Sequence, residues 1–288
     1  VIVPDISQNA AAVADHYDGL DPIYRGVWGE HVHHGLWTTG RETPAQAVEA
    51  LSHTVGDRLH LAPGETCVDI GCGYGSTARL LAAARGVSVT GFTLSAEQAQ
   101  YAAADPAPGV DIHVRDWLVN GLPDASADAA WAIESSEHMV DKPRFFAEAH
   151  RVLAPGGRFV ICAWLAETDA PAWKVRHLLE PICREGRLPS MGTREDYEAM
   201  ATTAGFAITD YEDVSRRVAR TWTICAGRLV KALLVDPEAR RVARSRISFL
   251  ILPRMILAYR TGAMRYGIFT LSRLNQDGVP RDPAAAAG

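Results

Sequence analysis

Residues 66–85 read TCVDIGCGYGSTARLLAAAR. A five-residue apolar run leads into glycines at 71, 73 and 75, and then into an alanine-rich stretch with helix-forming residues. This is a strand, a tight loop and a helix. In an open sheet of parallel strands the ligand lies outside the carboxyl ends of the strands, so a loop here touches one. Glycines at Gly71 and Gly73 let backbone and ligand approach closely. A dinucleotide loop would carry glycine or alanine at position 76, and this chain has Ser76. Asp69, two residues before the loop, would repel a pyrophosphate and attract a cation.

Outward from the loop the same alternation continues. Strands are predicted at 87–94 (VSVTGFTL), 110–114, 129–134 and 158–164, with helices after Ser95 and over KPRFFAEAHRVL, the latter closed by a turn at APGG. Upstream, Thr43, Pro44 and Gln46 start a capped helix. Downstream, helices are expected near 171–186 and 193–204, a strand near 207–212, a long helical stretch over 217–262 and a last strand at 265–272. Strand–helix alternation implies an α/β, doubly wound Rossmann-like sheet. The division is an N-terminal helical lid (1–60), a core (61–165), a helical cap with the final strands (166–275) and a disordered tail (276–288).

The 288 residues are 48% hydrophobic with a formal net charge of -5, against nucleic-acid binding as the main task. Residues 216–265 hold twelve Arg or Lys against Asp236 and Glu238, so this segment is locally basic. It reads as a solvated helix face, or as a surface for an anionic acceptor or a membrane. Five scattered cysteines without a C-x-x-C pair fit reduced thiols in the cytoplasm. VIVPDISQNA predicts no secretory leader, and FLILPRMIL (249–257) is too short to span a bilayer.

With VTGFTLS, RDW, AIESSEH and RVLAPGGRFVICAW following in order, D-x-G-C-G-x-G resembles motif I of class I methyltransferases that use S-adenosylmethionine (SAM). Within them YDGLDPIYRGVWGEHVHHGLW, TGFTLSAEQAQ, ESSEHMVDKPRFFAEAHRVLAPGG and RYGIFTLSR are similar to the γ-tocopherol methyltransferase-like group, over roughly residues 15–272. SAM has a sulfonium and an amine and no phosphate, which suits Asp69. The resemblance implies cofactor contacts at Asp69, Gly71, Gly73, Thr93, Leu94, Gln98, Asp116, Trp117, Glu134 and His33. Where many relatives carry an acid for the ribose hydroxyls, this chain has Thr93. Asp116 and Trp117 would flank the adenine.

His31, His33 and His34 raise the question of a metal. A site needs three or four ligands, and none has matching spacing elsewhere, so no metal is expected. His31 and His34 fit a surface or capping role equally well. The resemblance makes the segment, with Tyr17, Tyr24, Trp28 and Trp37, a lid over the cofactor. His138 is the leading candidate base, and the resemblance to small-amine methyltransferases, which pair a histidine here with a tyrosine of the N-terminal lid, implies Tyr17 as its partner. Glu137 is either catalytic or the first turn of a helix; Glu167 and Glu180 are weaker candidates.

The expected reaction is methyl transfer to a small, largely apolar acceptor, a prenylated aromatic or terpenoid, with carbon placed first. The alternatives are O- or N-methylation of a polar metabolite, and a SAM-binding protein or reused fold that transfers no methyl. Peripheral membrane contact and homo-oligomerisation through the N-terminal arm stay open.

Overall fold

The structure, a computed structural model, describes residues 1–5, 8–237, 240–241 and 250–274, with the side chains of 22–24 and 27 excepted. The tail 276–288, Phe249, the 242–249 part of the basic stretch and the Tyr24 side chain therefore lie outside the described residues.

Seven strands form one sheet in the order β3-β2-β1-β4-β5-β7-β6. They are β1 (Thr66–Ile70), β2 (Ser88–Thr93), β3 (Val110–Val114), β4 (Ala127–Ile133), β5 (Leu153–Ala166), β6 (Phe206–Asp213) and β7 (Met264–Arg273). The first five pair in parallel; β7 runs antiparallel to both β5 and β6. β1 lies between β2 and β4, so the chain reverses its winding there. That is where a doubly wound sheet opens a crevice.

The apolar runs exist because the central strands are covered on both faces. On one face Phe145, Phe146, Phe159 and Phe269 pack under α5 (Lys142–Val152). On the other, Leu51, Leu81, Trp131 and Val160 pack under α2 (Pro44–Arg58) and α3 (Ser76–Arg85). The capping box at Thr43 and Gln46 is present. α4 (Ala96–Ala104) starts from Ser95, whose side chain accepts from the Gln98 amide.

Three elements depart from the sequence expectation. The APGG residues do not simply end a helix but fall inside β5: its ladder with β4 jumps from Ala127–Leu153 to Ala129–Arg158, so they bulge out of register. The 171–186 helix is broken into α6 (Ala172–Lys174), a π turn (Val175–Leu179) and α7 (Glu180–Glu185). Pro181 has no N–H to give to the regular helical ladder. The long stretch over 217–262 is not one helix. It begins as α9 (Ser215–Val218) and α10 (Arg220–Val235), is interrupted at extended Asp236, and finishes as α11 (Ile251–Thr261). Pro237 disfavours helical geometry at the residue before it.

At the N-terminal end, α1 (Ala10–Val27) lies against α4 and α10. α8 (Arg194–Thr203) leads into β6. Leu178, Ile182, Trp222, Met255 and Met264 form a third core under α10 and α11. Among the described residues no helix is long and apolar enough to cross a membrane.

Candidate active site

Two clefts open at the carboxyl ends of β1 and β4. The first, with about 680 Å³ of empty space counting its open mouth, brings together Gly71, Gly73, Thr93, Leu94, Gln98 and Asp116. These come from three different loops, each following a strand. Gly71 (φ +80°) is obligatory: a Cβ there would come 2.3 Å from Cβ of Ser135. Gly73 (φ +56°) faces open space instead, its nearest neighbour being Gln98 Nε2 at 4.0 Å. That is a cradle for a ligand.

Asp69 lies below the loop and is 3% exposed. Burial pushes its carboxyl up to about 7. The Trp131 indole is near, but Oδ2 has no hydrogen-bond partner among the described residues. A buried carboxylate oxygen without a donor is costly unless a ligand supplies one. With the Gly73 cradle, this fits the ammonium and sulfonium of SAM. Thr93 donates to Gln98 Oε1 at 2.8 Å, which fixes both at the wall. Asp116 Oδ1 accepts from the Leu118 amide at 2.9 Å, leaving Oδ2 for a ligand. Trp117 also lines this cleft; its Nε1 donates to the Phe145 carbonyl and its ring packs edge-on to Phe92, which fixes it at the wall.

His33 stands behind the loop rather than in this cleft. Its Nε2 lies 3.2 Å from Nδ1 of His31 and 3.4 Å from the hydroxyls of Ser52 and Thr77. It shares a small cavity with Asp69 and Gly71. Burial lowers both imidazoles, His31 to about 3. Among the described residues no group of three or more His, Cys, Asp or Glu is placed to hold a metal.

The second cleft, about 1100 Å³ counted the same way, is mostly apolar: Leu20, Trp28, Ile182, Leu229 and Met255 are on its walls. They come from α1 and the residue that follows it, α7, α10 and α11, so the walls are non-local in sequence. Tyr17, Val32, Glu134 and His138 line both clefts. On this shared wall the Tyr17 hydroxyl meets His138 Nε2 at 2.9 Å. Burial pushes the His138 imidazole down to about 3, with the nearby His16 adding to the effect. The ring is therefore neutral, as the sequence suggests, but less basic than an exposed histidine.

Two glutamates three residues apart differ sharply. Glu134 takes a left-handed φ of +53°. Its carboxylate accepts from the His34 amide (2.6 Å), His34 Nδ1 (2.8 Å), the Trp164 indole (2.9 Å) and the Tyr266 hydroxyl (2.8 Å). Four donors saturate a carboxylate. Burial would raise it, but His34 outweighs that and holds it below the ordinary range. Its expected role as a cofactor contact is thus reduced to lining the wall. Glu137 accepts from the Trp164 amide and from Ser136 Oγ, and burial raises it to about 7. It lines the apolar cleft and not the first one.

His34 is the residue that sequence reasoning missed. It is fully buried, neither surface nor cap, and is ringed by Trp28, Trp164, Trp222, Tyr259 and Tyr266. Nothing in its local sequence marks it, because every one of these rings except Trp28 lies more than a hundred residues away. Glu167 pairs with Lys174 at 2.6 Å, and neither it nor Glu180 lines the clefts.

The N-terminal segment is strapped to the first cleft. Asp18 accepts from Ser95 Oγ (2.5 Å), Asp21 from the Tyr74 hydroxyl (2.6 Å), and the Glu30 carbonyl from Ser76 Oγ (2.8 Å).

Comparison with known proteins gives the family and the fold. The family model described as mycolic acid cyclopropane synthetase matches residues 5–246. The chain is 33% identical to 27-O-demethylrifamycin SV methyltransferase of Amycolatopsis mediterranei (strain S699), over 74% of this chain and 79% of that protein. It is 28% identical to the chloroplastic tocopherol O-methyltransferase of Arabidopsis thaliana, over 91% and 81%. The structure of the cyclopropane synthase MmaA2 from Mycobacterium tuberculosis superposes with a TM-score of 0.80 at 25% identity, covering 93% of this chain and 99% of that one.

Proposed function

We propose, for a chain that belongs to the mycolic acid cyclopropane synthetase family and is a SAM-dependent methyltransferase, methyl transfer to a hydroxyl on a small, otherwise apolar natural-product acceptor. The observation that carries this is the Tyr17–His138 hydrogen bond on the wall common to the two clefts. SAM supplies an electrophilic methyl group. The protein must align an acceptor, exclude water and take a proton if the acceptor has one to lose. The aromatic and aliphatic walls of the second cleft exclude water. His138, kept neutral by burial, accepts the proton directly or through Tyr17. Glu134 supplies negative charge nearby for the imidazolium that results.

The sequence reading places carbon first. An isolated alkene has no proton to give this pair before attack, whereas a phenol or alcohol does. An electron-rich aromatic carbon, which loses its proton after attack, is the second reading that the same pair supports. The two methyltransferase relatives, a tocopherol O-methyltransferase and a 27-O-demethylrifamycin SV methyltransferase, are named for acceptors that suit this reading.

The test uses SAM labelled at the methyl group with a prenylated hydroquinone and with the same compound blocked as its methyl ethers. Label in the organic phase from the free hydroquinone alone supports oxygen. Equal labelling of the blocked compound moves the reaction to carbon. Transfer only to water-soluble acceptors overturns the apolar reading.

A further inference from the structure

Lys142 opens α5 and is 6% exposed. A cation at a helix N-terminus faces the unfavourable end of the macrodipole, so helix stability does not explain it. Its ammonium donates to the carbonyls of Glu137 (3.1 Å), Met139 (3.3 Å) and Ser190 (3.0 Å), and to Ser190 Oγ (2.9 Å). These partners are neutral oxygens. Burying an ammonium on carbonyls alone is expensive, and the group's own proton affinity shows it: burial lowers it to about 8, while Glu137 and Cys183 nearby pull the other way.

The geometry of those oxygens gives the cost a purpose. Glu137 and Met139 flank His138 in sequence, so Lys142 grips the turn on both sides of the imidazole. Ser190 follows the segment whose Ile182, Gly186 and Leu188 wall the apolar cleft. We propose that Lys142 is a positioning residue: its ammonium ties the His138 turn to the acceptor wall, so that the proton-taking pair keeps its register with the bound acceptor. The assignment rests on the reading of His138 given above. It does not make Lys142 a group that touches substrate; the ammonium acts through the turn it holds.

A second consequence follows from its charge. Lys142, like His16, disfavours a proton on His138, while Glu134 favours one. Removing the ammonium therefore moves the imidazole's titration upward for two reasons: a cation is gone, and a loosened turn admits water.

The titration itself needs no acceptor. Protein labelled with 13C in its histidine rings is titrated by NMR with S-adenosylhomocysteine present, and His138→Gln assigns the signal. In the unsubstituted protein His138 stays neutral well below pH 6. In Lys142→Met the midpoint should rise by about one pH unit or more, and the resonance should broaden or double. Lys142→Arg, which keeps a charge and donors, should return the midpoint toward the starting value. If the Met variant does not fold, Lys142→Gln gives the same reading. An unchanged His138 midpoint and line shape, with only a lowered melting temperature, overturns the proposal. A shifted His138 in Lys142→Met, together with full methyl transfer by His138→Gln, sinks the proton-taking reading and leaves the positioning role standing.

Discussion

The two clefts share a wall but are built by opposite means. The first is made mainly by the turns after β1, β2 and β3, each carrying its own motif, with Val13 and Tyr17 of α1 and the turn after β4 closing it. The second is assembled from α1, α7, α10 and α11, which meet only in the folded chain. The contrast is sharpest in the glutamates at the end of β4. Glu134, saturated by four donors, is a structural anion; Glu137, with two donors and burial, sits near neutrality. A loop motif specifies a site for a constant ligand, whereas a non-local cavity can vary its acceptor without disturbing that motif.

The largest expected effect falls on the shared wall. His138→Gln should lower kcat by about 10²–10⁴-fold, the usual contribution of a positioned base. S-adenosylhomocysteine affinity, measured by calorimetry, should change little, since the loops after β1 and β2 are untouched. Tyr17→Phe should cost less, because His138 remains. Full activity in both variants would break the assignment of proton transfer to the wall.

Next come the supports. Glu134→Gln leaves His34 without its carboxylate in a fully buried aromatic shell. Losing one partner of such a pair costs about 3–5 kcal/mol, read as the denaturation midpoint. Glu137→Gln should not destabilise in this way. Equal losses would mean that the two carboxylates are not as different as their hydrogen bonds indicate.

The same contrast explains what could be read in advance. The sheet was legible because each β–loop–α unit carries its own signals: the apolar run at 66–70, the glycines, the cap at Ser95. The glycine loop was legible in the same way, while Thr93, Gln98, Asp116 and Trp117 were reached only through the resemblance to class I methyltransferases. His34 was not legible, for its environment is made by Trp164, Trp222, Tyr259 and Tyr266. Nor were the contacts that fix Trp117 at the wall of the first cleft, which Phe92 and Phe145 make. The break at Asp236 was present in the sequence as Asp-Pro and was outweighed by the helical pattern on either side.

A smaller effect tests the small cavity beneath the glycine loop, where Asp69 lies. Asp69→Asn keeps the shape and removes the charge, so it loses a charge-assisted hydrogen bond of about 1.5–3 kcal/mol. Affinity for S-adenosylhomocysteine should fall by roughly 10–150-fold. The ligand-free protein should respond in the opposite direction. Burial raises Asp69 to about 7 when folded, so the unfolded chain releases that proton first. Stability contributed by the protonated form is present at low pH and is lost as pH rises from about 4 to about 7. Asp69→Asn should therefore melt higher than the unsubstituted protein at pH 8, with the difference shrinking toward pH 4. Calorimetric melting at the two pH values checks this. A lower melting temperature at pH 8 would mean that the carboxylate has a partner in the fold itself.

The smallest effect concerns Glu137 and uses the same sign. Its folded value of about 7 also makes ionisation favour the unfolded chain, so Glu137→Gln should raise the melting temperature modestly at pH 8 and not at pH 4. The gain is smaller than for Asp69→Asn because the Trp164 amide and Ser136 hydroxyl already offset part of the charge. An amide also turns one acceptor into a donor facing the Trp164 N–H, unless it is oriented with its oxygen there. If Glu137→Gln instead melts lower at every pH, those two bonds outweigh burial, and Glu137 joins Glu134 as a structural anion rather than a proton-poised member of the apolar cleft.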